Sequence, residues 1–332
     1  MGLLGYIKRM NKKVMMEKVR SIAARTGRSR PAVFYDMVLC GLRYGAGYMD
    51  YDLFEMYNMN ARQRATILTR NINNNYIRSM NDPAYRHIFE NKDEFNARFR
   101  DFLGRDTITL DGSNREEAAR FWKKHPVFMA KPRSGSCGKG IEKLDAAGRD
   151  PAELYDHLMG TGQLVLEEVI RQHEKLNELY PCSINTLRVV TMYDDKADKV
   201  AVITTFLRIG NGGRVVDNFN SQGMCSPVDE RSGIVRFNAM DKAKNLYVTH
   251  PMTGTVIKGF QLPCWEQALD TCRRAARVVP QVRYVGWDIA FTPDGPVLVE
   301  GNDYPGHDIY QMPEFCPDKI GLLPKVTGAE FI

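Results

Sequence analysis

Gly286-Trp287-Asp288-Ile289-Ala290-Phe291-Thr292-Pro293-Asp294-Gly295-Pro296-Val297-Leu298-Val299-Glu300-Gly301-Asn302 reads as two β-strands around a turn. Apolar runs flank Pro-Asp-Gly, which suits a three-residue hairpin loop with glycine in the left-handed position. In that register Thr292 faces Pro296, and Asp288 faces Glu300. Directly opposed residues on one sheet face stand about 4.5–5.5 Å apart at Cβ. Two carboxylates so placed repel each other, and they either share a proton or flank a cation. Asn302, two residues further along an extended chain, points to the same face. Two carboxylates and an amide oxygen form a hard oxygen set, the kind Mg²⁺ takes beside nucleotide phosphates.

A second constellation lies upstream. The apolar run Val127–Ala130 delivers Lys131 to a loop of small residues, Ser134, Gly135, Ser136 and Gly138, followed by Lys139. Small side chains let backbone N–H groups approach phosphate oxygens closely. The Gly-Lys-Ser/Thr of a P-loop is absent, and the segment after the loop, with Lys143, reads as strand. The arrangement is a strand–loop–strand flap. A third segment, Leu164-Val165-Leu166-Glu167-Glu168-Val169-Ile170, sets two adjacent acids in an apolar strand. They point to opposite faces, so one is expected to meet a ligand and the other water.

Composition narrows the class. The chain has 332 residues, 43% hydrophobic and 26% charged, with net charge +6. That is the profile of a globular protein of about two domains at ~150 residues each. Nothing approaches the ~18 consecutive apolar residues of a membrane span, and the basic N-terminus lacks the apolar middle of a signal peptide. A cytoplasmic protein, or one at the inner face of the membrane, is expected. Seven cysteines without metal spacing argue for reduced thiols.

Residues 1–30 carry nine basic residues and one acid. Leu3, Ile7, Met10, Val14, Met15, Val19 and Ile22 recur at helical spacing. Such a leader either packs its apolar stripe on the body or touches an anionic membrane or acidic partner. Nucleic acid is not expected, because no reading motif accompanies the charge. Residues 31–112 read as helical. From about Pro126 short β-rich runs dominate, with a helix near 263–279. The expected class is α+β, with mainly antiparallel sheets and packed helices after a helical N-terminal region. The expected divisions are 1–30, 31–112, 113–180, 181–315 and a tail at 316–332.

The ordered set Lys131-Pro-Arg-Ser-Gly-Ser, Ile184-Asn-Thr-Leu-Arg188-Val-Val, Asp217-Asn-Phe, His250-Pro251 with Thr253-Gly254, Gly259-Phe-Gln-Leu-Pro263 and Gly286-Trp-Asp288 through Glu300-Gly-Asn302 resembles the sugar-transfer-associated ATP-grasp family. The resemblance implies the ATP-grasp fold and ATP with one or two Mg²⁺ ions. Lys131 reaches the α/β-phosphates, and residues 134–140 close over them, with Lys139 or Lys143 adding a contact. Strand 166–169 gives backbone bonds to adenine, with Glu167 or Glu168 towards the nucleotide and Val169 beside it. Asp288, Glu300 and Asn302 hold the metal. Arg188 lies by the transferring phosphoryl group or the substrate carboxylate. Many ATP-grasp ligases carry an Arg two residues before the metal Asp, and here that position is Gly286. Either Arg188 supplies that charge from a neighbouring strand, or phosphoryl transfer is impaired.

The implied activity is ligation of a carboxylate, such as an amino acid, to an amine. The family's sugar context points to an amino sugar or a cell-surface glycan precursor, and so to polysaccharide biosynthesis. Asn218, Asn220, Ser221 and His307 are the expected substrate contacts. Two alternatives use the same residues: a small-molecule or sugar kinase, and a non-catalytic nucleotide-binding protein docked through its basic N-terminus. The sequence leaves the oligomeric state open.

Overall fold

A computed structural model describes residues 11–135, 139–213 and 223–331. The chain forms two compact units. One runs up to Ser79 and is completed by Gly306–Ala329; the other is Met80–Pro305.

The N-terminal unit is helical. Helix Lys12–Thr26 starts at Asn11, whose side chain caps Val14 N–H, and ends at Gly27 in the left-handed conformation. It buries Met15, Val19, Ile22 and Ala23 against Val33, Met37, Tyr51 and Phe54. Lys18 holds Asp52 at 2.7 Å, and Arg25 also pairs with it. The apolar stripe from Met15 to Ile22 is therefore spent on the core, and the membrane or acidic-partner reading loses that face. Leu3, Ile7 and Met10 lie outside the described residues. Gly306–Ala329 belongs here because Gln311 bonds Leu68 through both backbone groups and Leu323 N–H donates to Thr66. Residues 316–329 of the expected tail thus belong to this unit.

The larger unit contains two antiparallel sheets. The first has strand order β1-β4-β2-β3: β1 Thr107–Thr109, β2 Val127–Lys131, β3 Glu142–Asp145 and β4 Val165–Glu168. The second has order β11-β10-β5-β6-β7-β8-β9: β5 Leu187–Asp194, β6 Lys199–Ile209, β7 Met224–Pro227, β8 Ala239–Asp241, β9 Leu246–Tyr247, β10 Tyr284–Thr292 and β11 Gly295–Asn302. Helix Trp265–Ala275 turns Trp265, Ala268, Leu269 and Cys272 into the core of this sheet. Gly233–Phe237 makes only isolated bridges, at Ile234 and Val235.

Helices between His87 and Leu103 also belong to this unit, not to the N-terminal one. Phe89 and Phe99 pack on Trp287, and Phe95 stacks on Phe99 at 4.5 Å. The boundary near 112 moves to Ser79/Met80, because this aromatic cluster is the packing under β10. Gly301 faces the same cluster. A Cβ there would lie 2.9 Å from Trp287 and 3.0 Å from Phe89 and Phe95. Gly301→Ala is expected to lower stability by about 1–3 kcal/mol through overpacking, read as a lower urea midpoint at unchanged slope. Among the described residues no helix is long and apolar enough to cross a membrane.

Candidate active site

The β10–β11 hairpin places Asp288 opposite Glu300 and Gly286 opposite Asn302. The loop is shorter than expected, since Thr292 pairs with Gly295 rather than Pro296. An unbroken ladder from that turn would set Asp288 against Val299. A β-bulge between Asp288 and Ile289 inserts one residue of β11 and restores Glu300 as the partner. The expected pair is present, reached by a two-residue turn plus a bulge.

Asp288 is buried, at 2% exposure. Arg188, directly across on β5, grips it with two donors: Nε bonds Oδ1, and Nη2 donates to Oδ2 at 3.0 Å. Arg208, on the same face of β6, adds Nη1 at 2.8 Å. Burial alone would raise the Asp288 carboxyl; the Arg188 charge, then that of Arg208, outweighs it and holds the group at about 2. Gly286 has a clear reason. A Cβ there would lie 3.1 Å from Nη1 of Arg188. Arg188 of β5 thus occupies the space beside position 286.

Glu300 behaves differently. It is exposed at the residue level, yet protein crowds its carboxyl group. That crowding, then the Asp288 charge, pushes it above the ordinary carboxylate range. Asn302 donates its amide to Glu300 at 3.2 Å, which leaves the Asn302 oxygen available as a ligand.

In the four-stranded sheet, Lys131 Nζ bonds Glu167 at 2.7 Å. Glu167 is also held by Arg105 Nε at 2.8 Å and by the Asn96 amide at 3.2 Å. Burial would raise Glu167; the Arg105 charge, then that of Lys131, carries it well below the usual carboxylate range. The two acids of β4 separate as expected. Glu167 shares the face of Lys131, while Glu168 bonds Asp106 N–H at 3.1 Å and lies 3.8 Å from His125. Lys143 pairs with Met129, which pairs with Glu167, so Lys143 lies on the Lys131 face; Lys139 lies in an exposed turn.

One expectation changes. β4 lies between β1 and β2, so the backbone of Leu166 and Glu167 is occupied on both sides. Val169, past the strand end, is outside this ladder. Ser134 bridges to Asn91, and Gly135 accepts from Lys92 Nζ at 3.0 Å. Ser136 and Gly138 lie outside the described residues, as do Asn218, Asn220 and Ser221. His307 falls in the N-terminal unit, 6% exposed, 3.3 Å from Asp50 and edge-on to Phe54. Those contacts are packing and anchoring, and they do not support an acceptor role.

Besides Arg208, two further residues beside the candidate site were not singled out from the sequence. Arg105 donates to Glu167 and also to the carbonyls of Leu298 at 2.6 Å and Val299 at 3.3 Å. It therefore ties β4 to the bulge beside Glu300. Lys92 is half-buried; burial lowers its ammonium below the ordinary value, the Glu300 charge resists this, and Lys131 reinforces it. The Lys92 Nζ bonds the carbonyl of Gly135 in the flap. Neither residue lies in a recognisable local pattern, and both act through contacts distant in sequence.

The family described as sugar-transfer associated ATP-grasp matches residues 151–326, just over half of the chain. The match includes Glu167, Arg188, Arg208, Asp288, Glu300 and Asn302. No curated protein matches in sequence. Solved structures similar to the chain include the ATP-grasp ligase PsnB complexed with a minimal precursor, at 18% identity and TM-score 0.42, covering 74% of this chain and 63% of that one. D-Alanine-D-Alanine ligase from Helicobacter pylori is 14% identical, TM-score 0.42, over 73% and 61%. An L-amino acid ligase from Bacillus licheniformis is 11% identical, TM-score 0.37, over 65% and 41%. The chain spans less than two thirds of the length of these structures. With its matched region carrying the Arg188–Asp288–Glu300 cluster, the chain belongs to the sugar-transfer associated ATP-grasp family.

Proposed function

We propose that the chain is an ATP-dependent ligase that activates a carboxylate as an acyl phosphate and joins it to an amine. The observation that carries this reading is the opposed Asp288–Glu300 pair of the β10–β11 hairpin, with Arg188 and Arg208 both donating to Asp288. A carboxylate pair on one sheet and a lysine-bearing flap on the other suit a nucleotide triphosphate whose terminal phosphoryl group is transferred.

The donor set fits Mg²⁺. Asp288 accepts three hydrogen bonds of the roughly four its oxygens can take. Glu300 and the Asn302 oxygen complete a hard set. When bound, one or two such ions would neutralise phosphate charge. Lys131 and Lys92 would hold α/β-phosphate oxygens, with Lys143 adding charge from the same sheet face. Arg188 and Arg208 would orient the reacting oxyanions, since transfer needs positioning and charge neutralisation more than a protein nucleophile. A substrate carboxylate oxygen attacks the γ-phosphorus and ADP leaves. The amine nitrogen then attacks the acyl carbon, phosphate leaves, and the amine proton passes to solvent. Asn218, Asn220 and Ser221 are the proposed acceptor contacts. The family's sugar-transfer association favours an amino sugar or glycan precursor as acceptor, and an amino acid is the proposed donor.

Purified protein incubated with ATP, Mg²⁺, pooled amino acids and amino sugars tests this. ADP, phosphate and a product mass equal to donor plus acceptor minus water are expected. ADP with a phosphorylated acceptor and no condensed product would replace the ligase by a kinase. Lys131→Met should raise the apparent ATP KM by at least about tenfold, the effect of losing one charge-assisted contact.

A further inference from the structure

The N-terminal unit contains a cleft of about 920 Å³, within the range of small-molecule sites. Arg43, Tyr44, Tyr48, Asp50, Arg70 and Asn71 line it. The end of helix Arg30–Tyr44 forms one wall and the start of helix Arg70–Met80 another. Gly45 between them has φ of +66°, and a Cβ there would come within 3.1 Å of the Asn71 amide nitrogen. Glycine thus keeps the cleft open at this corner.

The charges do not cancel inside it. Arg64 also borders the cleft but is spent: it makes two parallel bonds of 2.7 Å to Asp36 and one of 2.8 Å to the Met56 carbonyl. Asp50 is spent as well. One oxygen accepts Arg70 N–H at 2.9 Å, and the other lies 3.3 Å from His307 Nε2. The guanidinium groups of Arg43 and Arg70 have no acid within ion-pair distance among the described residues. Arg43 lies over the Tyr44 ring at 5.7 Å. Two arginines that line one concavity, with no acid partner among the described residues, can serve as an oxyanion receptor, because the planar fork matches carboxylate and phosphate oxygens. The Tyr44 and Tyr48 rings offer flat apolar surface to a ligand body, and the Asn71 amide supplies a further donor.

We propose that this cleft binds a small anionic ligand whose phosphate or carboxylate group is held by Arg43 and Arg70 and whose ring lies against the tyrosines. The site is independent of the nucleotide reading, since none of its residues belongs to that machinery.

Met49 lines the cleft and is 45% exposed, which makes its methyl group a local reporter. The full chain, labelled with ¹³C-methyl methionine and with Met49 assigned through Met49→Leu, is titrated with glucose 1-phosphate, glucuronate and glucose. The Met49 signal is expected to move, saturably, with one or both anions and not with glucose. A response to glucose 1-phosphate alone identifies a phosphate ligand, and to glucuronate alone a carboxylate ligand. Arg43→Gln and Arg70→Gln should each weaken the response by about tenfold or more. The buried Met37 signal, unchanged in position, shows that each variant remains folded. No Met49 response to either anion at millimolar concentration, an equal response to glucose, or unchanged affinity in both folded variants overturns the proposal.

Discussion

Glu300→Gln is expected to lower Mg²⁺-dependent ATP turnover by about a hundredfold to a thousandfold, the scale of removing one electrostatic contact from a transferring group, while leaving the fold as stable as before or more so. The two effects separate because of the electrostatics of the pair. Crowding by protein and the Asp288 charge push the Glu300 carboxyl up. An acid raised in the folded state opposes folding once it is ionised, so replacing it with a neutral amide removes a cost at neutral pH. Asp288→Asn should show the contrary pattern. It removes the counter-charge of Arg188 and Arg208, leaving buried guanidinium groups uncompensated, and should cost about 3–5 kcal/mol of stability as well as turnover. ADP release and urea midpoints measured on the same preparations decide the matter. Full turnover in Glu300→Gln with an unchanged Mg²⁺ requirement would remove Glu300 from the metal set.

The carboxylate pair was legible in the sequence because a strand hairpin is a local object: turn chemistry and a two-residue side-chain period fix which residues meet. Even there the inference succeeded through compensation. Pro293-Asp294 makes a shorter turn than Pro-Asp-Gly suggested, and the bulge at Val299 supplies the missing residue. Glu167 and Glu168 separated by the same alternation. Arg188 was legible as a charge to be placed, but not as a clamp on Asp288, since that depends on β5 lying beside β10. Arg105, Lys92 and Arg208 were hidden for the same reason, each meeting its partners across dozens of residues or more. The N-terminal leader looked amphipathic, and periodicity cannot say whether a stripe faces lipid or protein; the partners of Met15, Val19 and Ile22 answer that. The short strands β7, β8 and β9 carry too few residues to announce a period. The return of Gly306–Ala329 to the N-terminal unit left no local mark either.

Arg105→Met is expected to be among the most destabilising single changes in the larger unit, at about 3–5 kcal/mol. Its side chain is 2% exposed, as is nearly all of Glu167 at 3%. Removing it strips one cation from a buried carboxylate and orphans the carbonyls of Leu298 and Val299. Lys131 and Asn96 remain on Glu167, which limits the loss but draws Lys131 further into a structural role. Arg105→Lys restores the charge without the fork and should recover only part of the stability. The pH dependence gives a second readout. In the wild type Glu167 is depressed below its ordinary 4.5, so its contribution is fully present above that value and is lost as pH falls towards the folded-state value. Without the Arg105 charge, Glu167 rises back towards the ordinary value, and less stability remains to be lost in acid. The gap between wild type and Arg105→Met should therefore be widest near neutral pH and shrink below about pH 4.5. A gap that stays constant across that range would mean that Arg105 stabilises the unit through its carbonyl bonds and packing, and that the ion pair with Glu167 contributes no net stability.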